Sequence, residues 1–387
     1  MIYKLVRITT VSQSLNVLLK GQLGYLNTQY EVIGISSPGE QLQKVKDREQ
    51  IRVIPVRMTR KITPISDLRS LFQLFKVLKK EKPHIVHTHT PKAGLLGILA
   101  AKLAGVPIRF HTIAGLPLHE STGIKLAILK LTEKTTYKYC TMVYSNSYKM
   151  AEYLIKNSLI KKDHIQVIGN GSTNGIDLNY YDPATVSFKE ASELKVSLGI
   201  EEKDFVFIFI GRMVKDKGIT ELILSFIELC NSVDNARLIL LGNYELNLDP
   251  IEEETINYIK TNKNIIYCGY QTDIRPYLAI SNALVLPSYR EGFPNVVLQA
   301  GAFNLPSIVS NINGCNEIIT NNFNGILVEA KNIKELTRSM TKLLHDKSLY
   351  LKLAGNCRVN IETKYDQKVL WSEISKEYNH YINLLKK

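Results

Sequence analysis

Short apolar runs rich in β-branched residues recur along the whole chain, separated by longer segments whose apolar positions repeat every three or four residues. In the first half the runs are Tyr3–Thr9, Glu31–Ile35, Arg52–Val56, Ile85–His89, Ile108–Ile113, Met142–Ser145 and Ile165–Ile168. In the second half they are Phe205–Ile210, Arg237–Leu241, Ile265–Cys268, Ala283–Leu286, Ser307–Val309 and Ile326–Val328. Between them lie amphipathic stretches such as Asp67–Lys80, Ala93–Leu103, Ile219–Cys230 and Asn332–Leu344. Runs that are continuously apolar are strands buried on both faces, the habit of parallel sheets sandwiched between helices. Two such series exceed one open sheet, and the rhythm breaks at Asn179–Thr185, where Asn-Tyr-Tyr-Asp-Pro precedes a fresh charged helix over Lys189–Leu198. The pattern predicts an α/β chain of two Rossmann-like, doubly wound domains facing each other across a cleft. Their spans are residues 1–179 and 180–365. A terminal helix, 366–387, offers Val369, Trp371, Ile374, Tyr378, Tyr381 and Leu385 as an apolar face to pack back on the first domain.

Composition narrows the class. The chain has 387 residues, 45% hydrophobic and 22% charged, which excludes a disordered, collagenous or disulfide-stapled protein. No apolar stretch reaches the roughly 18 residues of a membrane span, and Lys4 and Arg7 interrupt the first apolar run where a signal peptide would be continuous. Five scattered cysteines without a CxxC read as reduced thiols. The expectation is a cytoplasmic protein. Its charge is lopsided: residues 1–180 hold 26 Lys and Arg against 11 Asp and Glu, or +15, and the remainder 23 against 25, or −2. A polyanionic partner for the first half fits this asymmetry, as does a merely lysine-rich composition. No interleaving of aromatic and basic residues supports nucleic acid.

Ligands of doubly wound sheets sit at the carboxyl ends of the strands, so the strand-to-helix loops hold the candidate chemistry. After Ala283–Leu286 comes Pro-Ser-Tyr-Arg-Glu-Gly-Phe-Pro-Asn-Val-Val-Leu-Gln-Ala-Gly, residues 287–301. Glu291 suits hydrogen bonding to sugar hydroxyls or a helix cap, and Gly292 lets the backbone approach a ligand. Pro294 fits a first helical turn, whose amides at Asn295, Val296 and Val297 face an anion. After Phe205–Ile210, Gly211 is followed by Arg212 and Lys217, two cations placed where a diphosphate would carry its charge. His87 and His89 share a strand face but lack a third ligand at useful spacing, and no Asp-x-Asp pair occurs. The phosphate charge is therefore assigned to side chains and a helix terminus, with no metal or other cofactor required.

Gly-Arg-x4-Lys-Gly, Glu-Gly-Phe-Pro-Asn-x3-Gln-Ala-Gly and the following Leu305-Pro-Ser-Ile-Val309 resemble family 4 of the retaining glycosyltransferases, which have the GT-B architecture. The first half carries Val56–Pro64, His84–Gly94, His111–Pro117 and Gly169–Asp177. These are similar to the subgroup that elongates lipid-linked saccharides for bacterial capsules, O-antigens and glycans, including N-acetylgalactosaminyltransferases. The resemblance implies a UDP-sugar donor, a polyprenyl diphosphate-linked saccharide acceptor and retention by front-face attack, the donor β-phosphate taking the acceptor's proton. It makes Arg212 and Lys217 the diphosphate ligands and gives the sugar to Glu291 with the backbone of Gly292, Phe293, Pro294 and Asn295. His111 matches the histidine near the reaction centre, although a strand-end histidine is equally a core residue. The family's Glu-x7-Glu pattern keeps Glu291 but has Gln299 for the glutamate that grips ribose, which implies weaker nucleotide binding. Tyr270 is read as the nucleobase platform.

Thr10 and Ser12, after the first strand, are candidates for receiving phosphate or acceptor, and Asn174 for lining the cleft. Lys92 is a candidate for an acceptor phosphate or for plain solvation. Ile124–Lys138 either rests on anionic lipid through Lys125, Lys130, Lys134 and Lys138, or packs with its lysines in water. The expected place of work is the inner face of the membrane. A UDP-sugar 2-epimerase of the same architecture, or a degenerate nucleotide-sugar-binding protein, is the alternative function.

Overall fold

The structure, a computed structural model, describes residues 2–115, 123–245 and 249–386. Leu116 and Pro117, which end one of the motifs above, lie outside the described residues, as does the Lys125 side chain. The chain divides into two compact units, Met1–Gly175 with Gln367–Lys387, and Ile176–Asp366.

Unit 1 is a seven-stranded parallel sheet. Its strands are β1 (Lys4–Ile8), β2 (Glu31–Ser36), β3 (Arg52–Pro55), β4 (Ile85–His89), β5 (Ile108–Ile113), β6 (Met142–Ser145) and β7 (Ile165–Val167), in spatial order β3-β2-β1-β4-β5-β6-β7. The helices α1 (Ser12–Leu18), α2 (Gln22–Asn27), α3 (Glu40–Glu49), α4 (Pro64–Glu81), α5 (Pro91–Ala104), α6 (Gly123–Tyr139) and α7 (Tyr148–Lys156) connect them. Unit 2 has six parallel strands: β8 (Phe205–Ile210), β9 (Ala236–Leu241), β10 (Ile265–Gly269), β11 (Ala283–Leu286), β12 (Ser307–Ser310) and β13 (Gly325–Val328), in order β10-β9-β8-β11-β12-β13. Its helices are α8 (Phe188–Ser197), α9 (Ile219–Cys230), α10 (Glu253–Thr261), α11 (Arg275–Ala279), α12 (Asn295–Ala302), α13 (Cys315–Ile318), α14 (Ile333–His345) and α15 (Lys347–Tyr365). A last helix, α16 (Gln367–Leu384), returns to unit 1.

The continuous apolar strands are explained by burial on both faces. In β1, Leu5 joins the core covered by α16, while Val6 and Ile8 join the core under α4 and α5. Helices follow from caps and periodicity: Asn332 accepts from the Glu335 N–H to open α14, which then buries Leu336, Met340 and Leu343 on one face. α16 buries Leu370, Trp371, Ile374, Tyr378 and Ile382, a fourfold spacing displaced from the expected face. Val369 is exposed instead, and Leu385, also exposed, lies beyond the last helical turn. Among the described residues no helix is long and apolar enough to cross a membrane.

Candidate active site

In unit 2 the strand order reverses between β8 and β11, and ligands of doubly wound sheets bind at the carboxyl ends of the strands at such a reversal. The loops leaving these two strands are fastened to each other. The Asp216 carbonyl accepts from the Tyr289 N–H at 2.8 Å, and the Asp216 carboxylate accepts from Arg290 Nε and Nη2 at 3.0 and 2.8 Å. Gly218 makes the approach possible, because its φ is +69° and a Cβ there would stand 2.2 Å from the Pro287 carbonyl oxygen. The result brings two residues 74 positions apart into contact: Lys217 Nζ donates to Glu291 Oε1 at 2.6 Å. Ser288 Oγ donates to the same oxygen at 2.8 Å. The side chains of Lys217 and Glu291 are only 16% and 12% exposed, so the pair is stronger than a surface ion pair.

Around this pair the other named residues fall as follows. Arg212 is exposed and donates to Glu245 at 3.1 Å, a solvent-screened contact a phosphate can displace. Gly211 continues the sheet, its N–H bonded to the Leu241 carbonyl at 2.9 Å. The Gly292 carbonyl lies where a Cβ on Gly314 would come within 2.5 Å. The Phe293 ring packs 5.6 Å from Tyr365. Pro294 is the residue before the first turn of α12, not within it, because its ψ of 102° is extended. Its carbonyl captures the Val297 N–H at 3.0 Å, so that amide is closed to an anion. Asn295 is exposed and Val296 half-buried at the start of the helix. Gln299 donates to the Tyr181 hydroxyl at 2.7 Å. Tyr270, after β10, is exposed.

In unit 1 the reversal lies between β1 and β4, and the hydroxyls there are already engaged. Thr10 Oγ1 is 2.8 Å from Thr90 Oγ1 and accepts from the Ala93 N–H at 3.1 Å, capping α5. Ser12 is buried at the start of α1. Lys92 meets neither an open phosphate position nor bulk water. It is ion-paired with Asp67 at 2.7 Å and also bonded to the Lys61 carbonyl, which ties α5 to α4. Asn174 is a clamp within unit 1: Oδ1 accepts from Gln22 and Trp371 at 3.0 and 2.8 Å, and Nδ2 donates to the Lys20 carbonyl at 2.8 Å. His111, on β5, is buried with Nδ1 at 2.8 Å from Thr88 Oγ1. The Thr88 hydroxyl also lies 3.3 Å from the Phe110 carbonyl. Burial pulls the His111 pKa down to about 4, leaving the ring neutral.

Loop sequence alone did not single out Asp216, Ser288, Arg290, Glu245 or Tyr181. Asp216, Arg290, Glu245 and Tyr181 act through partners distant in the chain, so local spacing carries no signal of them, while Ser288 reaches Glu291 within its own loop.

The architecture and these motifs agree with known proteins. Residues 190–360 match the model of the glycosyl transferases group 1, and residues 7–147 match that of the glycosyl transferase 4-like proteins. The chain is 33% identical to the capsular polysaccharide biosynthesis glycosyltransferase CapM of Staphylococcus aureus over 98% of its own length and 97% of that relative. It is 35% identical, over 79% of its length and 77% of the relative, to the Escherichia coli UDP-Gal:alpha-D-GlcNAc-diphosphoundecaprenol alpha-1,3-galactosyltransferase. Its fold is that of Anabaena HepE, solved with UDP and glucose, with a TM-score of 0.81 at 16% identity over 98% of this chain and all of that one. Two parallel-sheet units, the paired loops of unit 2 and these relatives place the chain among the family 4 glycosyltransferases of the GT-B fold.

Proposed function

We propose that this protein transfers a hexose or N-acetylhexosamine from a UDP-sugar to a polyprenyl diphosphate-linked saccharide in bacterial surface polysaccharide synthesis, with retention at the anomeric carbon and without a metal. The observation that carries the reading is the 2.6 Å contact of Lys217 with Glu291 at the reversal point of the unit 2 sheet. A donor entering there gives each member a better partner: diphosphate oxygens for Lys217 and Arg212, sugar hydroxyls for Glu291. Ser288 holds the carboxylate as the lysine leaves it. The amides of Asn295 and Val296 add the positive end of α12, and Gln299 takes the ribose with Tyr181 behind it. Fixed cations meeting the charge that develops on a departing UDP supply the largest share of the rate and substitute for a divalent ion. Among the described residues no second carboxylate is bonded to the pair, and the β-phosphate oxygen of the leaving group takes the acceptor's proton. Support for donor and acceptor comes from the galactosyltransferase whose name pairs UDP-Gal with a diphosphoundecaprenol-linked sugar, and from the UDP in HepE.

Work at a membrane surface is part of the same reading. α4 exposes Ile65, Leu68 and Phe72 beside Arg69, Lys76 and Lys79, and α6 exposes Ile124, Ile128 and Leu131 beside Lys134 and Lys138. Apolar residues ringed by cations suit the boundary of an anionic bilayer. The decisive experiment incubates the protein with single UDP-sugars and undecaprenyl diphosphate-linked GlcNAc. The expected outcome is a one-sugar mass increase with one donor, undiminished by EDTA, and an anomeric signal matching the donor's configuration. Interconversion of the UDP-sugar without acceptor would assign an epimerase instead.

A further inference from the structure

Arg7 sits on β1 between the core residues Val6 and Ile8 and points to the face that α16 covers, where alternation calls for an apolar side chain. It is fully buried. Its guanidinium donates to the Tyr378 hydroxyl at 2.8 Å through Nη1, and to Gln22 Oε1 at 2.6 Å and His89 Nε2 at 2.8 Å through Nη2. Among the described residues no carboxylate is bonded to it. A buried cation without a counter-charge is among the costliest arrangements a fold can hold.

The hydrogen-bond polarity of the cluster follows from Arg7, which can only donate. His89 Nε2 must accept, so the His89 proton is on Nδ1. Tyr378, accepting from Arg7, passes its own proton to His87 Nδ1 at 2.6 Å, and His87 Nε2–H donates to Thr112 Oγ1 at 2.7 Å. Two buried polar atoms are left without a partner, Arg7 Nε and His89 Nδ1. Both are N–H donors, and both residues line one cavity of about 20 Å3. Thr112 lines it too, with a hydroxyl proton still to give.

We propose that this cavity binds one small monovalent anion of the halide class, held by Arg7 Nε–H, His89 Nδ1–H and the Thr112 hydroxyl. The volume admits a water-sized sphere, the size class of a halide ion. Water fits by size but leaves the guanidinium unneutralised, whereas a halide satisfies the donors and the charge together. The ion would fasten α16 to β1, because Tyr378 and the cavity residues Leu370 and Ile374 all belong to that helix.

The test is thermal unfolding of the full-length protein in sodium chloride or sodium bromide against sodium gluconate at equal ionic strength. The expected result is a saturable rise in Tm of a few degrees in either halide and none in gluconate, with Arg7→Met abolishing the difference. Equal melting in all three salts overturns the proposal. Should Arg7→Met not fold, anomalous diffraction from bromide-grown crystals of the unaltered protein decides: a peak beside Arg7 Nε and His89 Nδ1 supports the site, and no peak there refutes it.

Discussion

Lys217 and Glu291 hold each other at 2.6 Å, and the proposed transfer gives each a part in binding the donor. Replacing Lys217 with alanine removes a cation from the leaving group and strands a half-buried carboxylate. We expect kcat to fall roughly 10²-fold, measured as UDP release with saturating acceptor, with far-UV circular dichroism unchanged. Gln299 supplies an opposite case. As an amide it donates to Tyr181, whose hydroxyl can turn to donate to a carboxylate instead. Gln299→Glu is therefore expected to tighten UDP binding several-fold by calorimetry, since a charged acceptor makes the stronger bond to a ribose hydroxyl. A Kd unchanged or weaker refutes this account of the substitution. The residue types of Lys217, Glu291 and Gln299 and their place after β8 and β11 were legible in the sequence. Their partners were not, because Glu291 meets Lys217 across 74 positions and Gln299 meets Tyr181 across 118, and nothing local records such a meeting.

α5 packs so closely on the sheet of unit 1 that glycine serves as a spacer. A Cβ on Gly94 would stand 2.6 Å from the His111 Cε1. Gly94→Ala is accordingly expected to push the ring off Thr88, with a loss of about 1–3 kcal/mol of stability from overpacking and a fall in turnover. Denaturant titration and initial rates check the two effects, and a wild-type rate would show that the His111 position is immaterial. At this scale the sequence was highly legible. All thirteen predicted strands and the four amphipathic helices quoted for the linkers are present within a residue or two at most ends, since buried parallel strands announce themselves as unbroken apolar runs. Periodicity says less where a helix carries apolar residues on two faces: α4 buries Ser70, Leu74 and Leu78 and leaves Ile65, Leu68 and Phe72 exposed. The His87–His89 pair likewise gave no hint of a buried arginine, because Arg7 and His87 become neighbours only through the pairing of β1 with β4.

For the whole molecule the charge asymmetry becomes a binding prediction. Co-sedimentation with anionic vesicles should exceed that with neutral ones, fall as salt screens the cations, and drop further in Leu68→Ser/Phe72→Ser. Equal partition onto both vesicle types would argue against a membrane-facing unit 1. Acid sensitivity follows from buried groups of opposite sign. Burial holds His87 and His89 well below their ordinary 6.5 and His111 near 4, so unfolding takes up three protons as pH falls below about 6.5. Glu133, raised by burial to about 7, is protonated in the fold and releases one on unfolding above its ordinary 4.5. Between pH 5 and 6 the histidines win by about two protons, and stability should decline on acidification by roughly 3 kcal/mol per pH unit, readable from urea titrations. Flat stability there would contradict the burial of the three rings. The return of α16 to the first sheet also separates the order of folding from the order of synthesis. Unit 2 is contiguous, so the ribosome delivers all of it before residues 367–387 emerge from the exit tunnel. The later-translated unit can therefore mature first, while the earlier one waits for Tyr378 to close over Arg7.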